Sequence, residues 1–593
     1  IAFIRGRDTP NPQIYIISVE GGEAAALTHF PEGSIRSFKW APDGKSLAVA
    51  FRELDSDFTT ESGRKRKEEG LSDPPRIIED LIYRLDGDGY FNGRRFQLYI
   101  VDLENGRHRR VYDKDTLGEF DYDWSPTGRE IVLATNRDRR AEIRYWKSKL
   151  LILDVKTNKL RELPGVPIGV KGSVAWSPNG RWIAYAGQDS KTTQWGSHNT
   201  HLFLCDSKKG GVKKLTAGCD RCLGASTLSD TCEVGFEANM KWSADSKKLF
   251  CRIGWHGDSY IASITLRGGD FTFLTRAGAN WDFGNLSADG RFIAGIIQTH
   301  TRIGEVHLFD LTAAGAGIRA LTDFNGKFLK GVQLARPEEV WLESPDGAKV
   351  HSWILKPPGF QSGRTYPAVL EVHGGPSAQY GSTFFHEFQV LAAAGYVVFF
   401  SNPRGSKGYG ESHTLAIKGD WGNRDWIDIQ TVKDYMKAQP YVDSKRLAIM
   451  GGSYGGYMTN WAIGHTHDFA AAITDRCVSN MISMTGSSDI PTIPDEYWEG
   501  SPWDRPETLW QQSPLAHFKI VKTPTLIIHS EGDLRCNIEQ GEQVFTALKL
   551  LNVPTRLVRY PRSTFHGMSR GGPVDLRCHR LHQILNWLKT YLK

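Results

Sequence analysis

Two periodicities divide the chain. Up to about residue 335, apolar and polar residues alternate with a period of two in short runs bounded by turn residues. Five segments carry an aromatic or aliphatic residue, a small-residue turn and then a β-rich run. They are Trp40-Ala41-Pro42-Asp43-Gly44, Trp124-Ser125-Pro126-Thr127-Gly128, Trp176-Ser177-Pro178-Asn179-Gly180, Trp242-Ser243-Ala244-Asp245-Ser246 and Leu286-Ser287-Ala288-Asp289-Gly290. The runs after the first three predict strands over 47–51, 131–135 and 182–186, and further strands ending on an aspartate follow at 98–102 and 150–154. A recurring interval of roughly 40–50 residues predicts the blades of a β-propeller, with Trp packed between neighbouring blades. Counting the opening strand Ile1 to Arg5 and the stretch after Leu321 gives about seven blades, with six or eight as alternatives. The opening run lacks its preceding turn, so residues upstream of Ile1 are expected in the native protein.

The interval between Trp40 and Trp124 is longer than the others. It holds Arg64-Lys65-Arg66-Lys67-Glu68-Glu69 and then Pro74-Pro75. Charge and proline predict a solvated insertion; the competing reading is an arm that reaches the active site or a neighbouring subunit.

Beyond residue 335 the pattern changes. Val340 to Ser344 and Val350 to Leu355 read as a hairpin around Pro345-Asp346-Gly347. Strands over 368–372, 397–401, 447–450 and 525–529 then alternate with helical spacing, as at Trp426, Ile429, Val432 and Met436. Alternating β and α elements predict a doubly wound, mostly parallel sheet. The expected organisation is therefore a β-propeller over 1–335 and an α/β-hydrolase domain over 336–593.

Composition narrows the class of function. A chain of 593 residues is too long for one core. A net charge of +6 is small for this length and argues against a nucleic-acid partner. No apolar run approaches the ~20 residues that cross a bilayer, so no membrane partner is expected. Eight cysteines in so long a chain do not form a disulfide framework, and a cytoplasmic location is expected. Cys219-Asp220-Arg221-Cys222, with Cys232 beyond, is one C-x-x-C without a second pair, and reads as free thiols in a loop. No metal or cofactor is expected.

The chemistry concentrates in the second unit. Gly451-Gly452-Ser453-Tyr454-Gly455 lies between an apolar strand and a helical stretch, the setting of a nucleophile elbow, where a sharp turn lifts the serine hydroxyl out of the sheet. Serine needs a base and the base needs a carboxylate, which on this fold follow in the order Ser, acid, His. Asp533 follows the strand 525–529 and His566 follows the strand 556–560. Glu531 and Asp475 compete for the acid; His529, His579 and His582 compete for the base. His373-Gly374-Gly375-Pro376 after the strand 368–372 suits an oxyanion loop, with the N–H groups of Gly375 and Tyr454 as donors. Arg404, in the Gly-rich loop Asn402 to Gly410, and Arg535, two residues after Asp533, are candidates for substrate binding, each with a structural alternative.

The G-G-S-Y-G-G run at 451–456, the HGGP loop, the 402–410 loop and Asp533-Leu534-Arg535 resemble those of the prolyl oligopeptidase family of serine peptidases, and the N-terminal repeats resemble that family's propeller. Tyr380-Gly381 and Phe385-His386-Glu387-Phe388-Gln389 look most like the acylaminoacyl-peptidase branch. The resemblance implies Ser453 as nucleophile, Asp533 as carboxylate and His566 as base. It also implies short peptides as substrates, release of N-acylated amino acids from blocked N-termini, and homo-oligomers. Asn537 and Phe565 depart from the family pattern without removing a catalytic group. A broad oligopeptidase or carboxylesterase using the same triad is the alternative, and an inert propeller scaffold is a third.

Overall fold

The structure is a computed structural model that describes residues 1–6, 11–191, 196–232, 235–312 and 317–593. Among these residues the first unit holds, in chain order, six antiparallel sheets, one of three strands and five of four, the last two joined into one eight-stranded sheet, together with a two-stranded hairpin at Arg84–Leu85 and Gly89–Tyr90. Predicted strands appear within Ser46–Glu53, Gln97–Asp102, Glu130–Thr135, Lys149–Asp154 and Trp182–Gly187. The last two sheets touch through a single parallel bridge, Ser259 to Asn280.

Each sheet buries a face against the next. Ala48, Ala50 and Leu98 of the second sheet share a core with Tyr122, Trp124 and Ile131 of the third, and Val132 and Ile152 of the third pack with Trp176 and Tyr185 of the fourth. The repeat tryptophans also tie neighbours by hydrogen bonds. Trp124 Nε1 donates to the Lys39 carbonyl at 3.1 Å, and Trp242 Nε1 to the Ala175 carbonyl at 3.1 Å. The six sheets equal the lower of the counts open in the sequence, one fewer than the seven favoured there. The stretch after Leu321 forms the one-turn helix Gly326–Leu329 and leads into the second unit, adding no sheet of its own.

The second unit is one eight-stranded sheet. Its strands are β1 (Pro337–Glu343), β2 (Lys349–Leu355), β3 (Tyr366–Val372), β4 (Val397–Asn402), β5 (Val442–Gly452), β6 (Ala471–Asp475), β7 (Thr525–Ser530) and β8 (Thr555–Tyr560). The order is β1-β2-β4-β3-β5-β6-β7-β8. β1 pairs β2 and β2 pairs β4 antiparallel, and every other pairing is parallel. The central strands read as unbroken apolar runs because both faces are covered. Leu370, Ile449 and Ile527 pack under the helices Arg424–Ala438, Tyr454–Ile463 and Glu539–Leu550. Val369, Met450 and Ile528 face the helices His386–Ala393 and Val574–Tyr591. Truncating a fully buried strand residue such as Ile449 to Ala would cost about 2–5 kcal/mol.

The loops after β3, β5, β7 and β8 all leave the carboxyl edge of the sheet, where an open α/β sheet offers its crevice. The first unit sits over this edge. Gln379 Nε2 donates to Thr227 Oγ1 at 2.9 Å, and the Gly257 N–H donates to Gln379 Oε1 at 2.9 Å. Asp230 accepts the N–H groups of His386 at 2.7 Å and Glu387 at 2.8 Å, so a residue of the first unit caps a helix of the second.

Candidate active site

β5 ends at Gly452 and the next helix begins at Tyr454, which leaves one residue for the turn. That residue is Ser453, at φ 62° and ψ −120°. A non-glycine residue there stores on the order of 1–3 kcal/mol of strain, which surrounding bonds must hold. The Ser453 N–H donates to the Asp475 carbonyl at 3.0 Å, and its carbonyl accepts the Tyr457 N–H at 2.9 Å. Glycine at 455 is required by space, since a Cβ there would overlap the Val372 carbonyl oxygen.

Asp533 and His566 meet. The His566 Nδ1–H donates to Asp533 Oδ2 at 2.7 Å, while Asp533 Oδ1 accepts the N–H groups of Arg535 at 3.0 Å and Cys536 at 2.9 Å. One oxygen is thus pinned by its own loop and the other orients the imidazole. With Nδ1 donating, Nε2 is left as the basic nitrogen. Burial alone would raise the Asp533 carboxyl. The charge that His566 can carry and hydrogen bonds from His529 and His566 outweigh it and hold the group well below the usual carboxylate range. Ser453 and His566 line the same cavity of about 640 Å³.

The competing acids are engaged elsewhere, and of the competing histidines only His529 comes near Asp533, with Nε2 3.5 Å from Oδ2. Asp475 is held by Arg476 at 2.8 Å and by Arg580 at 2.7 Å. Glu531 pairs with Arg559 at 3.0 Å on the surface. His529 is internal to β7 and fully buried, with Nε2 donating to the Cys536 carbonyl at 2.7 Å. His579 bonds the Tyr560 hydroxyl at 2.9 Å, and His582 is exposed.

The oxyanion candidates border the serine. A Cβ placed on Gly374 would lie 3.3 Å from Ser453 Cβ, so the loop backbone passes directly beside the nucleophile candidate. Gly375 has φ +135°, a conformation that glycine adopts freely. His373 steadies this loop: Nδ1 donates to the Gly374 carbonyl at 2.8 Å, Nε2 lies 2.8 Å from Ser406 Oγ, and burial pushes the imidazole down to about 4. Tyr454 is the first helical residue, where an N–H has no carbonyl four residues back to bond. Its hydroxyl turns into the core and donates to Asp425 at 2.6 Å, a carboxyl that burial pushes up to about 7.

The two arginine candidates separate. Arg404 does not reach the cavity. It forms a buried ion pair with Asp428 at 2.8 Å, reaches Asp346 at 2.6 Å and donates to the Arg424 carbonyl at 3.1 Å. The substrate-binding expectation for Arg404 is therefore corrected, because two carboxylates take up its guanidinium. Arg535 does line the cavity and is braced by Asp489 at 2.6 Å. The cavity is also lined by the largely apolar Val478, Ile490, Ile493, Tyr497 and Trp498 of the second unit and by Phe120, Lys171 and Gln188 of the first.

Two residues escaped the sequence reading. The Cys536 thiol is buried and lines the same cavity as Ser453. Asp86 comes from the long interval between Trp40 and Trp124. The charged part of that interval is the exposed helix Thr60–Glu68, as expected of a solvated insertion. Its later part is a two-stranded hairpin, Arg84–Leu85 with Gly89–Tyr90, and this reaches the catalytic loops as the competing reading held. Spacing from the repeat betrayed the insertion; only the fold shows where it goes. The C-x-x-C thiols go separate ways, Cys219 to Asp270 at 3.1 Å and Cys222 to the Thr200 N–H at 3.3 Å.

The profile of the prolyl oligopeptidase family matches residues 382–593. The chain is 34% identical over 594 residues to an uncharacterized peptidase, YuxL, of Bacillus subtilis, covering 100% of this chain and 88% of the relative. It is 26% identical over 470 residues to dipeptidyl-peptidase 5 of Porphyromonas gingivalis, covering 78% of this chain and 66% of the relative. The solved acylaminoacyl peptidase of Pyrococcus horikoshii superposes with a TM-score of 0.82 at 24% identity, over 100% of this chain and 86% of that one, and shares the fold of a propeller joined to an α/β hydrolase.

Proposed function

This chain belongs to the prolyl oligopeptidase family of serine peptidases, and within it we propose a peptidase that releases N-acylated amino acids from short, blocked peptides. Ser453 attacks the scissile carbonyl while His566 Nε2 takes its proton. Asp533 holds the imidazole in the productive tautomer, and the N–H groups of Gly375 and Tyr454 receive the oxyanion. His566 returns the proton to the leaving amine. A water activated by the same imidazole then releases the acyl group. The 2.7 Å contact between His566 and Asp533, in the cavity that Ser453 also lines, carries this reading.

The preference for a blocked terminus rests on charge. A free ammonium needs a carboxylate with room to accept. Beside Arg535, where the acyl carbonyl is placed, both carboxylates are engaged: Asp489 by Arg535 and by the Asp86 N–H at 2.6 Å, and Asp86 by the N–H groups of Leu534 and His566. An uncharged acyl carbonyl suits Arg535 as donor. The apolar lining of the cavity suits an apolar side chain at the cleaved residue. The second reading is removal of dipeptides from free N-termini, favoured by the dipeptidyl-peptidase relatives. Kinetics on acetylated and free versions of one peptide separate them. The acetylated form is expected to give the higher kcat/KM, and a reversed order would establish the second reading.

A further inference from the structure

All three proposed triad residues belong to the second unit, yet the loops carrying two of them are joined by a side chain of the first. Asp86 sits in the turn of the hairpin Arg84–Leu85/Gly89–Tyr90. Its Oδ1 accepts the Leu534 N–H at 3.0 Å, in the loop of Asp533. Both its oxygens accept the N–H of His566 at 3.1 Å. Its own N–H donates to Asp489 Oδ2 at 2.6 Å, and Asp489 braces Arg535. Arg84 fastens the hairpin further, donating to the Ser487 carbonyl at 2.6 Å. On the other side, Asp88 returns to the first unit through Arg52 at 2.7 Å. A single carboxylate thus spans from the acid loop to the base loop, and its place is set by the propeller.

We infer that Asp86 is a positioning residue for the proposed triad, so that the alignment of His566 with Ser453 is complete only when the hairpin of the first unit is docked on the catalytic loops. The inference rests on the reading of Ser453, Asp533 and His566 given above. Its physical basis is that His566 lies on a loop after β8, and that its N–H is accepted by Asp86 rather than by a carbonyl of that loop. Without Asp86 the His566 N–H loses the acceptor that fixes the base of the loop, and the imidazole gains freedom to swing. A misplacement of about 1 Å is enough to cost ~10²-fold in rate. Asp86 touches neither substrate nor the reacting atoms, and it acts through His566. Burial pushes its carboxyl above the ordinary range, consistent with a group withdrawn from water to serve these contacts.

The test uses the full-length protein with an acetylated peptide substrate, and fluorophosphonate labelling of wild-type Ser453 as the reference. Asp86→Ala is expected to lower kcat by ~10–100-fold with KM within about threefold and the Tm largely kept. Asp86→Asn keeps an acceptor oxygen in place and is expected to recover most of that loss. Glu61→Gln, on the exposed helix Thr60–Glu68, is expected to stay within about twofold of wild type. A wild-type kcat in Asp86→Ala overturns the inference. So does a loss carried wholly by KM or by the unfolded fraction, or an equal loss in Glu61→Gln. If Asp86→Ala does not fold, Asp86→Ser, whose shorter side chain cannot reach both loops, decides: a folded Ser variant less active than Glu61→Gln by severalfold in kcat supports the inference, and equality of the two overturns it. A wild type that fails to label sinks the triad reading and this inference together. A labelled wild type with an indifferent Asp86→Ala sinks the inference alone.

Discussion

The two units bury their backbones in opposite ways. In the first, strands pair with their chain neighbours, and each sheet rests on the next. In the second, β3 lies between β4 and β5, and β7 pairs with β6 across a long stretch of intervening chain. Local pairing makes a repeating wall that carries no catalytic group in its regular strands. Non-local pairing brings four distant loops to one edge, where an alcohol, an imidazole, a carboxylate and an oxyanion loop can meet. The first unit reaches the chemistry where the repeat is interrupted, through the hairpin that holds Asp86.

The largest expected effects break this contrast at the edge of the sheet. Ser453→Ala should reduce peptide turnover by ~10⁴-fold or more, and Asp533→Asn by ~10⁴-fold through loss of the imidazole tautomer. Steady-state rates with near wild-type Tm values check both; turnover within tenfold of wild type in either would break the assignment.

The next sharpens the difference between two arginines. Arg404→Met should cost about 3–5 kcal/mol of stability, because it leaves Asp428 fully buried and uncompensated. The activity of the folded fraction should hold. Arg535→Met should also cost stability, because it strips the buried Asp489 of its cation, but unlike Arg404→Met it should lower kcat/KM of the folded fraction on acetylated peptides by roughly tenfold or more, through loss of a charge-assisted hydrogen bond of about 1.5–3 kcal/mol. Denaturant titration beside kinetics distinguishes them, and a specific kinetic defect in Arg404→Met would return that residue to the site.

Smaller effects test the wall. Trp124→Phe removes the bond to the Lys39 carbonyl between neighbouring sheets and should lower stability by about 1 kcal/mol with kinetics unchanged. Acid should weaken the Asp346 arm of the Arg404 network only at low pH. The Asp346 carboxyl is lowered to about 2 by hydrogen bonds from Ser344 and Arg404, so its folded value lies below its unfolded value of ~3.9. Its contribution is therefore complete above pH ~4 and is lost as pH falls through about 2. Arg404→Met should flatten that part of the stability curve, as an acid titration of the unfolding midpoint would show.

Much of this contrast was legible in the sequence. The Trp-containing turns announced the sheets because a strand, its turn and its next partner lie close in the chain. The elbow was legible because strand, turn and helix are consecutive, and only small residues fit around Ser453. Asp533 and His566 followed from chain order on this fold. What failed to show was set by contacts at long range. A Gly-rich loop does not say which way Arg404 points, and two acids far off in the chain, Asp346 and Asp428, decide it. Six sheets rather than the favoured seven result because the stretch after Leu321, counted towards a blade, forms a one-turn helix and no sheet of its own. Asp86 was hidden because nothing near residue 86 hints that its carboxylate meets the N–H of His566, 480 residues away.

Fluorophosphonate labelling, with the modified residue located by mass spectrometry in the wild type and in His566→Ala, tests the triad most directly. The account predicts a label on Ser453 in the wild type and little or none in the variant. A label on another residue, or equal labelling of both proteins, would contradict it.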